Sequence, residues 1–417
     1  MRFDLISFSA AAVFVSLQFV MPPASLQAAQ PELREIFSGG NEKVQVVCLG
    51  DSVTGVYYHT GGRRAYPAMV EIGLRQAFPE ADINVINAGI SGNTTNDGLR
   101  RLERDVLDKH PDLVTIMFSL NDMTRVPLAE FVANLKSLVD QIHARDAAVL
   151  LCTPNSVFDS TGRPIETLED YVAAIRNFAA REKLPLADCY ATFEQLRNED
   201  EWAWTMLMSD DIHPNMGGHK LLAETIVSSI SGKAISLADE APLQPAIPNT
   251  LRKLLTGQRP VLIAMPPVHE ILTEIIGNEF PDRKVSSASW VTENRTLAEI
   301  EDSADLIRTL KLDGVFIALP HSVLPGKDAT ELRRLSWILN KSLSFGKQEW
   351  DCVVVSPALF HPPTTDEERL KLDILRQFVA NQDLTFIDRA DDDQDTPAAD
   401  IIKNWWRDQR ALLENAE

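Results

Sequence analysis

From about residue 44 the chain alternates between two patterns of apolar positions. Short runs at 44–49, 83–87, 112–118, 147–152 and 184–189 are nearly continuous in Val, Ile, Leu and Phe. Between them lie segments with the helical repeat. The clearest carries Leu128, Phe131, Val132, Leu135, Leu138, Val139 and Ile142, a full i, i+3, i+4, i+7 stripe. Strands that are apolar on both faces, with helices between them, predict a parallel sheet covered on both sides. The segment Gly218 to Ile230, with Leu221, Leu222 and Ile226, closes this first unit. Pro242, Pro245 and Pro248 then punctuate a stretch that reads as a linker. The expected organisation is an N-terminal segment 1–29, a first unit 30–232, a linker 233–258 and a second unit 259–417.

The second half repeats the first. Phe78-Pro79 recurs as Phe280-Pro281, Asp112-Leu113-Val114 as Asp313-Gly314-Val315, and Leu151-Cys152-Thr153-Pro154 as Val354-Val355-Ser356-Pro357. Phe158 matches Phe360, and Asp188 matches Asp388. The offset drifts by only one or two residues over about a hundred, which points to internal duplication. The second copy lacks the polar strings of the first. Met265-Pro266-Pro267 stands where the first has Gly50-Asp51-Ser52, Thr292-Glu293-Asn294 stands opposite Gly92, and Ser322 stands opposite Asn121. A loop corresponding to Tyr57–Tyr66 is missing from it, and no histidine follows His361. The second unit is therefore expected to be degenerate and accessory to chemistry.

Composition narrows the class. The 417 residues exceed one ordinary core. A net charge of −20 argues against nucleic acid and against docking on anionic lipid. Residues 10–21 form an apolar run, broken by Pro22-Pro23 and followed by small residues at 24–29. That is the pattern of a secretory signal peptide, so a secreted or periplasmic location is expected. No later run approaches membrane length. Cys48, Cys152, Cys189 and Cys352 read as buried thiols, without metal-ligand spacing.

Four polar strings interrupt the first unit in order: Gly50-Asp51-Ser52, Ile90-Ser91-Gly92-Asn93-Thr94, Leu120-Asn121-Asp122 and Asp210-Asp211-Ile212-His213-Pro214-Asn215. Each falls at a strand end or a helix start, the edge where open parallel sheets carry their sites. The set resembles the SGNH (GDSL-type) hydrolase superfamily over roughly residues 44–230. The resemblance implies a flavodoxin-like three-layer α/β/α fold with a parallel five-stranded sheet, here duplicated. It also implies a serine esterase: Ser52 as nucleophile, His213 as base, and Asp210 orienting the ring from three residues upstream, with Asp211 the competitor. The oxyanion donors it implies are the Ser52 and Gly92 backbone N–H groups and the Asn121 side chain, with Gly89 the alternative glycine. Asp122 is expected to brace the turn. Ser119 departs from the family, which often has glycine there.

The loop Tyr57 to Arg64 lies beside Ser52 in sequence. Tyr58, Arg63, Arg64 and Trp204 are candidate substrate contacts, the arginines for an acidic sugar and Trp204 for ring stacking. His219 is expected on the surface or in packing. No cofactor or metal is called for. The partner is a small-molecule or polysaccharide ester. The favoured reading is an exported esterase for short acyl groups, acetyl above all, on carbohydrate. A lipid esterase or thioesterase is the enzyme alternative. A glycan-binding or scaffold protein with a relic site is the alternative from another class.

Overall fold

The computed structural model describes residues 31–38, 43–283, 285–346, 349–390, 393 and 395–416. Residues 1–29, which the sequence pattern reads as a signal peptide, lie outside the described residues. Two parallel sheets form, each of five strands. The first contains β1 (Lys43–Gly50), β2 (Asp82–Gly89), β3 (Leu113–Met117), β4 (Ala148–Cys152) and β5 (Leu186–Ala187), in the order β2-β1-β3-β4-β5. The second contains β6 (Val261–Ala264), β7 (Ser286–Ser289), β8 (Gly314–Ile317), β9 (Asp351–Val355) and β10 (Thr385–Ile387), in the order β10-β9-β8-β6-β7. The second, read from its other edge, has the same order as the first. Helices flank both sheets, so the architecture is the duplicated α/β fold that the apolar pattern predicts.

The correspondence extends to side chains. Asp112 Oδ2 accepts from Gln45 N at 2.7 Å, and Asp313 Oδ2 accepts from Val261 N at 2.8 Å. Arg176 Nε meets Asp188 Oδ2 at 2.7 Å, and Arg376 Nε meets Asp388 Oδ2 at 2.9 Å. Each arginine stands on the helix before the last strand of its sheet, and each aspartate directly follows that strand.

Two boundaries differ from the sequence pattern. The run 184–189 becomes a strand of only two residues, because the Asp188 side chain accepts from Ala191 N and starts the helix Cys189–Glu199. The proline-rich linker is also more than a connector. Pro248 opens a helix, Pro248–Leu255, and the Asp351 carboxylate of β9 accepts from Asn249 N and Thr250 N at its start.

Each sheet has its own apolar core. Tyr58 and Met206, which precede β2 and follow β5, are nevertheless buried in the core of the second unit. Buried Arg64 and Asp383 pair across the interface. The four cysteines are buried free thiols, and burial pushes Cys48 up to about 12. Among the described residues no helix is long and apolar enough to cross a membrane.

Candidate active site

Three neighbouring strands, β2, β1 and β3, deliver Gly92, Ser52 and Asn121 to one edge of the sheet. β1 ends at Gly50, where a Cβ would lie 2.0 Å from Thr54 Oγ1 and 2.6 Å from the Met117 carbonyl. A side chain there would prevent the chain from turning against β3. Asp51 shapes the next turn by accepting from Val53 N at 2.9 Å. Ser52 follows, mostly buried at the strand mouth.

Ser52 Oγ lies 2.8 Å from His213 Nε2, and His213 Nδ1 lies 2.8 Å from Asp210 Oδ2. Asp210 Oδ1 accepts from the N–H groups of Ile212 and His213 at 2.9 and 2.8 Å, so the turn itself holds the carboxylate. Burial would raise the Asp210 pKa, but His213 and these N–H groups outweigh it and hold the carboxyl well below its ordinary range. Burial would lower the His213 pKa, but the Asp210 carboxylate prevails and raises it. The ring is thereby a stronger base than an isolated imidazole. Asp211 points elsewhere and pairs with Arg333 of the second unit.

Gly92 has φ 73°, the left-handed region, and a Cβ there would meet nothing within 4 Å. Its backbone conformation, not crowding, calls for glycine. The competing Gly89 spends its N–H on Asn87 Oδ1 at 2.9 Å, so that donor is not free for a substrate oxygen. Asn121 Nδ2 donates to Asn93 O at 3.1 Å and, at the weak limit, to Asp51 Oδ2 at 3.4 Å. Asp122 accepts from Thr95 N at 2.8 Å and Thr95 Oγ1 at 2.6 Å, tying the turn after β3 to the helix Thr95–Asp105. Ser119 adopts φ 137°, a backbone region that glycine tolerates better than serine.

The expected substrate contacts need correction. Trp204 is fully buried, with its indole N–H on Ser156 Oγ at 2.9 Å, and cannot stack on a sugar. Arg64 is locked on Asp383, and Arg63 donates to the carbonyls of Leu243 and Pro245. Tyr58 does reach the site, but its hydroxyl donates to Asp210 Oδ2 at 2.8 Å. Tyr58, Arg63 and Arg64 were legible as a loop near Ser52. Their partners lie about 150 residues or more away, where no local pattern points.

Four side chains escape the sequence motifs. His59 is buried and stacks on His213, ring centroids 4.5 Å apart and planes 9° apart. Burial holds its pKa well below the ordinary histidine value, so it stays neutral. His219 packs behind it and accepts from Tyr66 N at 2.8 Å. The guanidinium groups of Arg125 and Arg163 also converge on Asn121: Arg125 Nε on its carbonyl and Arg163 Nη2 on its Oδ1, both at 3.5 Å.

A buried serine, imidazole and carboxylate in one hydrogen-bonded line can transfer an acyl group. Comparison with known proteins agrees. The family model described as GDSL-like lipase/acylhydrolase matches residues 48–221. An acetylxylan esterase of Geobacillus stearothermophilus is 31% identical over 218 residues, covering 46% of this chain and 95% of the relative. An arylesterase of Vibrio mimicus is 27% identical over 195 residues, covering 46% and 90%. The crystal structure of a lipase/acylhydrolase from Enterococcus faecalis is 30% identical, covers 46% of this chain and 98% of its own, and superposes with a TM-score of 0.40. Through residues 48–221 the chain belongs to the GDSL-like lipase/acylhydrolase family and is an ester hydrolase.

Proposed function

We propose that this chain is an exported serine esterase that removes short acyl groups, acetyl above all, from carbohydrate. The observation that carries the mechanism is the continuous line from Ser52 Oγ through His213 to Asp210, with both links at 2.8 Å. Ser52 Oγ attacks the ester carbonyl as its proton moves to His213 Nε2. Asp210 remains ionised and stabilises the imidazolium. The carbonyl oxygen gains negative charge and is held by the N–H groups of Ser52 and Gly92 and by Asn121 Nδ2. The 3.4 Å contact from Asn121 to Asp51 is the one released most cheaply for that purpose. The C–O bond to the alcohol breaks, and His213 returns its proton to the leaving alkoxide. Water then attacks the acyl-enzyme with His213 as base, freeing the acid and restoring Ser52.

Arg125 and Arg163 beside Asn121 make the rim polar, which suits a sugar better than an alkyl chain. A 31% identical relative named as an acetylxylan esterase supports the same choice. The pattern of residues 1–29 supports export. The shared strand order and the repeated Asp112/Asp313 contacts support a second unit, residues 259–417, that descends from the first and has lost its site. A series of nitrophenyl esters of rising acyl length, followed by acetate release from acetylated polysaccharides, tests this reading. Turnover should be highest at two carbons, and Ser52→Ala should lower kcat by at least ~10³ with the fold intact. A maximum at eight carbons or longer would replace it with a lipid esterase.

A further inference from the structure

We propose that the second unit is a clamp that positions the triad carboxylate, acting on Asp210 through Tyr58 and Ser209. This rests on the triad reading above and gives the non-catalytic unit a part in the reaction. Asp210 Oδ2 receives two donors, His213 Nδ1 and the Tyr58 hydroxyl, each at 2.8 Å. The tyrosine thus fixes the rotation of the carboxylate that orients the histidine. Tyr58 is itself held from the second unit. Gln382 Nε2 donates to its carbonyl at 3.0 Å, Phe345 packs on its ring at 5.6 Å between centroids, and the Arg308 guanidinium lies 5.0 Å from the ring centre. Arg308 is parked there by the carbonyls of Asn340 and Leu343, at 2.6 and 3.2 Å.

Ser209, the residue before Asp210, is held from the same side. Its carbonyl accepts from Asn340 Nδ2 at 2.9 Å and from Ser336 Oγ. Its hydroxyl lies 3.1 Å from Asn340 Oδ1, which also accepts from Gln382 Nε2 at 2.8 Å. Arg333, Ser336 and Asn340 fall at i, i+3 and i+7 on the helix Ala329–Lys341, so one polar stripe faces Ser209 to Asp211. Ser209, Ser336, Asn340 and Gln382 are all buried. Groups so placed keep their partners only while the two units stay docked. Packing of a second core alone would not require this polar network against the catalytic turn.

The test uses the full chain and a soluble acetate ester, nitrophenyl acetate, with kcat, KM and the pH dependence of kcat/KM as readouts. Tyr58→Phe keeps the ring and removes only the donor. It should lower kcat by ~10-fold at nearly unchanged KM. It should also move the acidic limb to higher pH, because a carboxylate relieved of one donor holds the proton on His213 more strongly. The other groups that act on His213 remain: Asp51, Arg163, and the rings of His59 and His219. Phe345 is 59% exposed, so Phe345→Ala empties no core. Phe345→Ala and Gln382→Ala should shift the limb in the same direction by less. Each, combined with Tyr58→Phe, should cost less than the product of the single effects. The clamp is overturned if Tyr58→Phe keeps kcat within twofold and leaves the limb in place. It is also overturned if the second-unit variants multiply fully with Tyr58→Phe. Ser52→Ala is measured alongside: an active Ser52→Ala overturns the triad reading itself, whereas an inactive one with an unaffected Tyr58→Phe overturns only the clamp.

Discussion

The docking of the two units rests heavily on one buried ion pair, and Asp383→Asn should expose its weight. Arg64 donates from Nε to Asp383 Oδ2 and from Nη2 to Oδ1, both at 2.7 Å, with side chains 8% and 3% exposed. Nη2 also donates to Ala241 O at 2.6 Å. Asp383 sits at φ 60°, a conformation that asparagine also accepts, so the substitution keeps shape and backbone and removes only charge. Charge centres ~4 Å apart attract by ~4 kcal/mol at an effective dielectric of 20. Removing one partner of such a pair costs ~3–5 kcal/mol, because the other charge stays buried. Asparagine still accepts one bond, so the lower figure, ~3 kcal/mol, is expected. For a cooperative unit of about 200 residues, that lowers Tm by ~6–12 °C. Calorimetry at neutral pH, in low and high salt, should find this loss nearly independent of salt, since the pair is dry. Arg64→Met alone should cost a similar amount. The double variant, with no buried charge, should recover ~2 kcal/mol of the summed losses. A Tm drop under ~2 °C, or losses that simply add, would refute the reasoning and mean that water enters this interface in solution.

Ser119→Gly should stabilise the chain. It relieves ~1–2 kcal/mol of backbone strain at φ 137° and removes a buried hydroxyl without a partner, against ~0.5–1 kcal/mol of added chain entropy. A lower denaturant midpoint would contradict this. Glu224 is buried in the helix Met216–Ser231 and accepts from Leu237 N at 2.7 Å, and burial lifts its pKa to about 7. Its folded pKa exceeds the unfolded value of about 4.5, so the folded state binds more protons between these limits and stability falls as pH rises through them. Glu224→Gln keeps the acceptor without the charge. It should match the parent near pH 4 and exceed it by ~2–3 kcal/mol at pH 8, and a pH-independent difference in denaturation would contradict the assignment.

Much of this molecule was legible in one dimension, because the signals involved are local. A strand buried on both faces must be apolar throughout, so β1, β3 and β4 stand out as runs. Duplication preserved order and spacing, so Asp112 and Asp313 could be matched before their shared contacts were known. The polar strings at the strand ends drew Ser52, Gly92, Asn121, Asp210 and His213 together, since each sits where a parallel sheet exposes its edge.

Other features depended on contacts between distant segments. Trp204 and Arg64 looked like ligands because nothing local reveals that Ser156 and Asp383 satisfy them. His59 is one more loop residue until the turn at 210–213 lays His213 against it. The end of the proline-rich linker, Pro248–Leu255, is a helix whose first N–H groups are satisfied by Asp351, about a hundred residues on. The second unit, which lacks the polar strings of the first, proved to reach Tyr58 and Ser209 through Gln382, Asn340 and Ser336. Periodicity and motif record what a residue does for its own strand or turn. The partner of a buried polar side chain is chosen by packing, because only the closed core removes the water that would otherwise satisfy it.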